Sequence, residues 1–169
     1  MIIRAVQNNE LEQLPKLEGS AAQVFYDVGL DQVAEMDPTP ASYYRALHAP
    51  YIILVTEDNH KLIGFIVGYE VDGCAYLKEL SVDYTCQGCG IGKALLKEFL
   101  KWAETMAYSC AVLITFQDLP FNAPFYHKHG FEIFVPDHTW PQMQSIRAKE
   151  QAVGLDISPR VCMRKILRD

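Results

Sequence analysis

The chain has 169 residues, half of them hydrophobic and 21% charged, with 21 acidic against 15 basic side chains and a formal charge of −6. That size and apolar content suit one folded domain with a sizeable core and exclude a disordered chain. The acidic balance argues against a phosphate-binding surface for nucleic acid, and no stretch has the apolar length of a membrane span, so neither partner is expected.

The apolar start, residues 1–6, is too short for a signal peptide and runs straight into Gln7-Asn8-Asn9-Glu10, so a cytoplasmic protein is expected. The five cysteines are odd in number and irregular in spacing, which suggests no disulfide framework. Cys86 and Cys89 form a C-x-x-C with no second pair at zinc spacing. They read first as incidental loop thiols, the alternative being a redox or metal role, and no metal site is expected.

Residues 2–6 read as a first strand. Asn9 is a candidate cap for a helix through Leu11, Leu14, Leu17 and Ala21 to Phe25, with Pro15 marking a start or a kink. Residues 29–40 look like loop, closed by the breaker Asp37-Pro38-Thr39-Pro40, and residues 41–48 like a short helix. Three apolar runs follow at 51–56, 61–69 and 75–82, joined by turns at 57–60 and at Asp72-Gly73. Together they predict an antiparallel meander.

After a glycine-rich turn at 87–92, Ile91, Leu95, Phe99, Trp102 and Met106 form one apolar helical stripe with Lys93, Lys97, Lys101 and Glu104 off it. A strand at 111–116 completes a β-α-β unit. A short helix at 122–128 with Pro124 in its first turn, a strand at 131–135, a helix at 140–153 stopped by Gly154, and a closing strand at 161–167 finish the chain. The whole reads as a single α/β domain, residues 1–169, with a mixed sheet.

Gly88, Gly90 and Gly92 open a helix after a strand. A helix start exposes backbone N–H groups and carries partial positive charge, and glycine lets an anion come close, so the loop suits a phosphate or pyrophosphate. No Gly-Lys-Ser/Thr ends it and its spacing is not that of the dinucleotide fingerprint. A plain tight turn explains three glycines equally well.

Two motifs in order give this turn more meaning. Gln87-x-x-Gly90-x-Gly92, after a strand ending Leu80-Ser81-Val82, resembles the acyl-coenzyme A pyrophosphate loop of the GNAT superfamily of N-acetyltransferases. Asn122-Ala123-Pro124-Phe125-Tyr126 through Gly130-Phe131 is similar to that family's late helix-to-strand segment. The resemblance covers about four-fifths of the chain, from residue 2 to residue 135. It implies an α/β fold with a central mixed, mostly antiparallel twisted sheet of six to seven strands flanked by helices, with a splay between the fourth and fifth strands.

The resemblance also implies acetyl transfer from acetyl-coenzyme A, the cosubstrate, to a primary amine by direct attack in a ternary complex. The amides of Gly88, Gly90, Ile91, Gly92 and Lys93 would hold the pyrophosphate, with Gln87 and Cys89 in the same loop. Leu80 and Val82 would line the coenzyme, the Val82 N–H serving the thioester carbonyl. Glu79 is the candidate base, the alternative being an ordinary polar strand residue. Tyr126 is the candidate proton donor to the leaving thiolate, the alternative being a core tyrosine with its hydroxyl bonded to backbone. Asn122 lies only four residues before Tyr126, closer than in many members, and reads either as a coenzyme ligand or as a helix cap.

His127 and His129 do not share a helix face and read as surface residues. The acceptor pocket is expected around Phe25, Tyr26 and Glu35, with Asp27, Asp31, Asp37, Tyr43 and Tyr44 nearby in sequence; aromatic rings plus carboxylates suit an amine. A small-molecule amine is the first choice of partner. Alternatives are a protein lysine or N-terminus, another macromolecule, and a non-catalytic acyl-coenzyme A sensor on the same fold. A homodimer is compatible with the family.

Overall fold

A computed structural model describes residues 1–168. It gives a seven-stranded sheet in the order β1-β2-β3-β4-β5-β7-β6, whose bounds follow, and the chain gathers into two compact units. The first holds residues 1–68 and 79–99, the second, among the described residues, 69–78 and 100–168.

In the first unit, β1 (Ile2–Ala5) leads into a 3-10 segment at Asn8–Gln13, then α1 (Leu14–Ala21), then a second 3-10 segment at Ala22–Val28. The sequence expectation of one helix to Phe25 is thus corrected to three short pieces. Pro15 sits in the first turn of α1, where its missing N–H has no helical partner to lose. Asn9 is not the cap: Gln7 precedes the segment and its backbone N–H donates to Glu10 Oε2 at 2.8 Å. The expected loop at 29–40 contains a helical turn, α2 (Asp31–Ala34), which follows Gly29, the left-handed cap at φ 73° that ends the second 3-10 segment. The next helix, α3 (Ala41–Arg45), is three residues shorter than expected.

Strand β2 (Tyr51–Asp58) turns at Asn59 and His60 into β3 (Lys61–Val71), which turns at Asp72 and Gly73 into β4 (Cys74–Val82). All four turn residues have positive φ, from 47° to 73°. Two-residue hairpins need that backbone because its twist matches the strands it joins. β1 pairs antiparallel with β2 from Ile2↔Glu57 to Ala5↔Leu54. Residues 62–68 of β3 are all buried, so this strand is covered on both faces instead of alternating.

Helix α4 (Ile91–Thr105) packs close to β3 at Gly64, where a Cβ would meet Ile91 Cγ2 at 3.2 Å and Leu95 Cδ1 at 3.3 Å. Ile91, Leu95 and Phe99 are buried as the stripe predicts, but Met106 lies beyond the helix and is exposed. The core of this unit joins Leu11, Leu14, Leu17 and Tyr44 to Ile53, Val55 and Phe65.

In the second unit, β5 (Cys110–Phe116) pairs in parallel with β4 from Ala75↔Ala111 to Leu77↔Leu113. α5 (Ala123–His127), β6 (Glu132–Phe134), α6 (Pro141–Ala152) and β7 (Arg160–Ile166) follow. β7 lies between β5 and β6 and is antiparallel to both. Met143, Val112, Tyr76 and Cys162 are part of its core.

Asp72 caps α6 from across the sequence: its carboxylate accepts the N–H groups of Gln142 at 3.1 Å and Met143 at 2.9 Å. One cysteine expectation is overturned. Cys74 and Cys110 stand level, one residue before the first registered pair of two parallel strands, and are disulfide-bonded with Cα atoms 5.2 Å apart. A separation of 36 residues hides this, because the crossover through α4 makes them neighbours.

Candidate active site

The glycine turn is reached through a built approach. Asp83 follows β4 directly and is buried, and its Oδ1 accepts the Thr85 hydroxyl at 2.6 Å and the Thr85 N–H at 3.1 Å, while Oδ2 accepts from Lys61 at 3.3 Å. The Thr85 hydroxyl above all, with Thr85 N–H and Lys61, holds the Asp83 carboxyl below the usual range despite burial. This side chain caps a 3-10 turn at Tyr84–Cys86 that the sequence did not announce.

Next comes a type II β-turn. Gln87 has φ −65° and ψ 157°, and Gly88 has φ 76°, the sign that the third residue of such a turn requires. Gly90 follows at φ 83°. The first helical bond of α4 is Ala94 N–H to Gly90 O, 3.1 Å. The N–H groups of Gly90, Ile91, Gly92 and Lys93 therefore precede the ladder at the positive end of a fifteen-residue helix. A Cβ built on Gly88 or Gly90 meets nothing within 4 Å, so beside both glycines there is room for a ligand.

The loop is braced. Gln87 Nε2 donates to Val82 O at 3.1 Å and to Ala21 O at 3.2 Å, the end of α1. Tyr84 N–H donates to Ser20 Oγ at 3.3 Å, and its hydroxyl donates to Asp27 Oδ2 at 3.0 Å. The role of Gln87 is therefore visible: its amide ties the strand end and the helix end to the turn. A chain pattern could mark the glutamine but not its two acceptors.

Glu79 and Ser81 point to one face of β4, as alternation requires, and the Ser81 hydroxyl donates to Glu79 Oε1 at 2.7 Å. Leu80 and Val82 are half-buried on the other face. Tyr44 is buried; its hydroxyl donates to Glu18 Oε2 at 3.0 Å and is pushed far up, first by burial and then by the charges of Glu18 and Glu79. Thr39 Oγ1 donates to the other Glu18 oxygen at 3.1 Å. Glu18 was missed in the sequence because an acid in a short helix carries no pattern of its own. Of the expected acceptor residues, Phe25 is half-buried, Tyr26 is exposed, and Glu35 is exposed at the end of α2.

In the second unit, Tyr126 is 7% exposed on α5. Its carbonyl accepts the Phe131 N–H at 3.2 Å, and the His127 carbonyl accepts the Gly130 N–H at 3.0 Å. These two bonds, with Gly130 at φ 85°, make a Schellman cap. The Phe131 ring meets the Tyr126 ring edge-on at 5.8 Å, the apolar contact that accompanies such caps. The spacing Tyr126–Gly130–Phe131 is thus a helix stop that fixes the tyrosine.

Asn122 stands at the N-cap position but its side chain makes no cap bond. Its Oδ1 is buried without a hydrogen-bond partner among the described residues, so the capping alternative is corrected. His127 Nδ1 lies 3.3 Å from Phe131 O and His129 Nδ1 lies 2.8 Å from Phe125 O, so both histidines serve the end of α5. Among the described residues, no cluster of three or more metal-ligating side chains occurs. None of their helices is long and apolar enough to cross a membrane.

The fold is an α/β protein with an open, braced turn at a helix start on a mixed sheet, and comparison with known proteins narrows the class. A family model of the acetyltransferase (GNAT) family matches residues 19–131. The ribosomal-protein-S18-alanine N-acetyltransferase from Escherichia coli is similar in fold, with TM-score 0.72 and 15% identity over 99% of this chain and 94% of that one. PaiA N-acetyltransferase from Thermoplasma acidophilum, in complex with coenzyme A, gives TM-score 0.67 and 18% identity over 98% of both chains. An aminoglycoside 6'-N-acetyltransferase complexed with coenzyme A gives 0.61 and 16% over 100% of this chain and 98% of that one.

The chain belongs to the acetyltransferase (GNAT) family. It is an N-acetyltransferase that acts with acetyl-coenzyme A.

Proposed function

We propose that this single N-acetyltransferase domain transfers the acetyl group to the primary amine of a small molecule in the cytoplasm. The observation that carries the reading is the open turn at Gly88 and Gly90 leading into α4, which suits the coenzyme's pyrophosphate. The buried, unpartnered Asn122 Oδ1 fits an added donor, such as an amide of the pantetheine arm. For the acceptor, the carboxylates of Glu18, Glu79 and Asp27 in the first unit suit a cation, and one similar fold is that of an aminoglycoside acetyltransferase.

The chemistry needs a neutral amine and a protonated leaving group. Glu79, oriented by the Ser81 hydroxyl, takes the proton from the ammonium, directly or through water. The Val82 N–H donates to the carbonyl oxygen as negative charge grows on it. Tyr126 gives its phenolic proton to the departing thiolate.

The test is thiol release from acetyl-coenzyme A with a panel of small amines, polyamines, amino acids and basic peptides. Amine-dependent release by the small molecules is expected; release with peptides alone would replace the small-molecule reading with a protein substrate. Tyr126→Phe is expected to lower kcat about 100-fold while acetyl-coenzyme A affinity stays within about threefold. Unchanged turnover would remove Tyr126 from the mechanism, and a Glu79→Gln enzyme with a normal pH–rate profile would remove Glu79.

A further inference from the structure

We propose that Cys86 and Cys89 are a redox modification site: a thiol pair that a low-molecular-weight disulfide oxidises to a bond across the phosphate-binding turn. The two cysteines are the first and fourth residues of the type II turn whose central pair is Gln87 and Gly88. The ends of such a turn lie within about 7 Å between Cα atoms, and a disulfide spans about 4.4–6.8 Å. The turn that the glycine makes possible is thus also a frame that brings the two cysteine backbones within bridging range.

The three free cysteines differ in access. Cys89 is exposed and Cys86 half-buried, while Cys162 is buried and its thiol is pushed up to about 11 by that burial, which keeps it out of exchange. Cys74 and Cys110 are already bonded to each other. Exchange therefore selects one pair.

The step balances with the disulfide as oxidant. The Cys89 thiolate attacks one sulfur of R–S–S–R, forming a mixed disulfide and releasing RS⁻. The Cys86 thiolate then attacks Cys89 Sγ and expels the second RS⁻. The two thiol protons end on the released thiolates, so two protein thiols are oxidised and one external disulfide becomes two thiols.

The consequence rests on the proposed role of this turn in coenzyme binding. Closing the bond draws the two Cβ atoms to about 3.8 Å and fixes the backbone of Cys89. Cys89 directly precedes Gly90, whose carbonyl starts α4 and whose N–H is among those aimed at the phosphates. The oxidised loop holds those groups out of line, so acetyl-coenzyme A binding falls, and reduction restores it.

The experiment treats reduced protein with oxidised glutathione, alkylates remaining thiols and digests with trypsin. Cleavage after Lys78 and Lys93 leaves both cysteines in one peptide, residues 79–93. We expect that peptide to lose two hydrogens and escape alkylation, and acetyl-coenzyme A affinity, measured by calorimetry, to fall at least about tenfold. Dithiothreitol should reverse both. Cys86→Ser should keep the affinity of the reduced protein and stop at a glutathione adduct on Cys89. Two alkylated cysteines after oxidant would overturn the site, and a closed bond with unchanged affinity would overturn its consequence. Reduced protein with no acetyl-coenzyme A affinity would sink the functional reading instead, while the peptide mass still decides whether the bond forms.

Discussion

Two glycine turns bear the same backbone sign for opposite reasons. At Gly88 and Gly90 an added Cβ would meet open space, whereas at Gly130 it would come within 2.5 Å of Lys165 Nζ. All three have φ between 76° and 85°. The first turn is held by the Gln87 side chain and, ahead of it, by Tyr84 and Asp83, and is left open beside its glycines. The second is filled at its centre, by Lys165 reaching the His129 carbonyl at 2.8 Å and by Phe131 on Tyr126. Gly29, Gly73 and Gly154 also combine positive φ with open space, so what sets Gly88 and Gly90 apart is that their space lies at the start of the long helix α4.

Substitution should separate the two. Gly130→Val is expected to add left-handed strain of about 1–2 kcal/mol and to displace the flexible Lys165 ammonium from the His129 carbonyl at a cost of about 1 kcal/mol more, read as a lower denaturant midpoint. Reduced acetyl-coenzyme A affinity in the fraction still folded would mean that this joint also serves the ligand. Gly90→Val carries the strain alone, about 1–2 kcal/mol, but should weaken acetyl-coenzyme A binding about 30-fold by filling the space a phosphate needs. Normal affinity there would end the equation of open space with ligand.

The smallest effect is expected at Asp83→Asn, about 1 kcal/mol, because the turn keeps its backbone and loses a charged cap. The sign with pH follows from a depressed carboxyl. Its stabilising contribution is present above the ordinary aspartate range and is lost as pH falls through the folded-state value. The gap in melting temperature between wild type and variant should therefore close below about pH 4. A gap that persists in acid would assign the cap to shape alone.

Much of this was legible in the sequence because it rests on local rules. A turn expected at 57–60, which the structure narrows to Asn59-His60 because β2 runs on to Asp58, and one at Asp72-Gly73 announce hairpins, and the Ile91–Leu95–Phe99 spacing announces a buried helix face. A glycine turn after Val82 was legible, although α4 already begins at Ile91 inside the expected 87–92. What escaped depends on partners far along the chain. Met106 fits the helical period, yet the helix has ended, with Ala107 at φ 64° and Tyr108 N–H returning to Ala103 O at 3.1 Å. The turn at Asp31–Ala34 has too few residues to show a period. Cys74 and Cys110 meet through a crossover, and Gln87 finds its acceptors 66 and 5 residues away. The side chains of Tyr44 and Glu18 are joined across 26 residues, and only the packed chain reveals them.

The Asp72 cap carries a consequence for the order of assembly. Helix α6 has a proline in its first turn and an N-cap residue, Trp140, that makes no side-chain cap bond. Its first donors are satisfied by a carboxylate 70 and 71 residues earlier. The helix therefore cannot reach its full stability as a local event; it must wait for the β3–β4 hairpin to present Asp72. The amide hydrogens of Gln142 and Met143 should accordingly exchange with solvent in step with that distant hairpin and not with the remainder of their own helix.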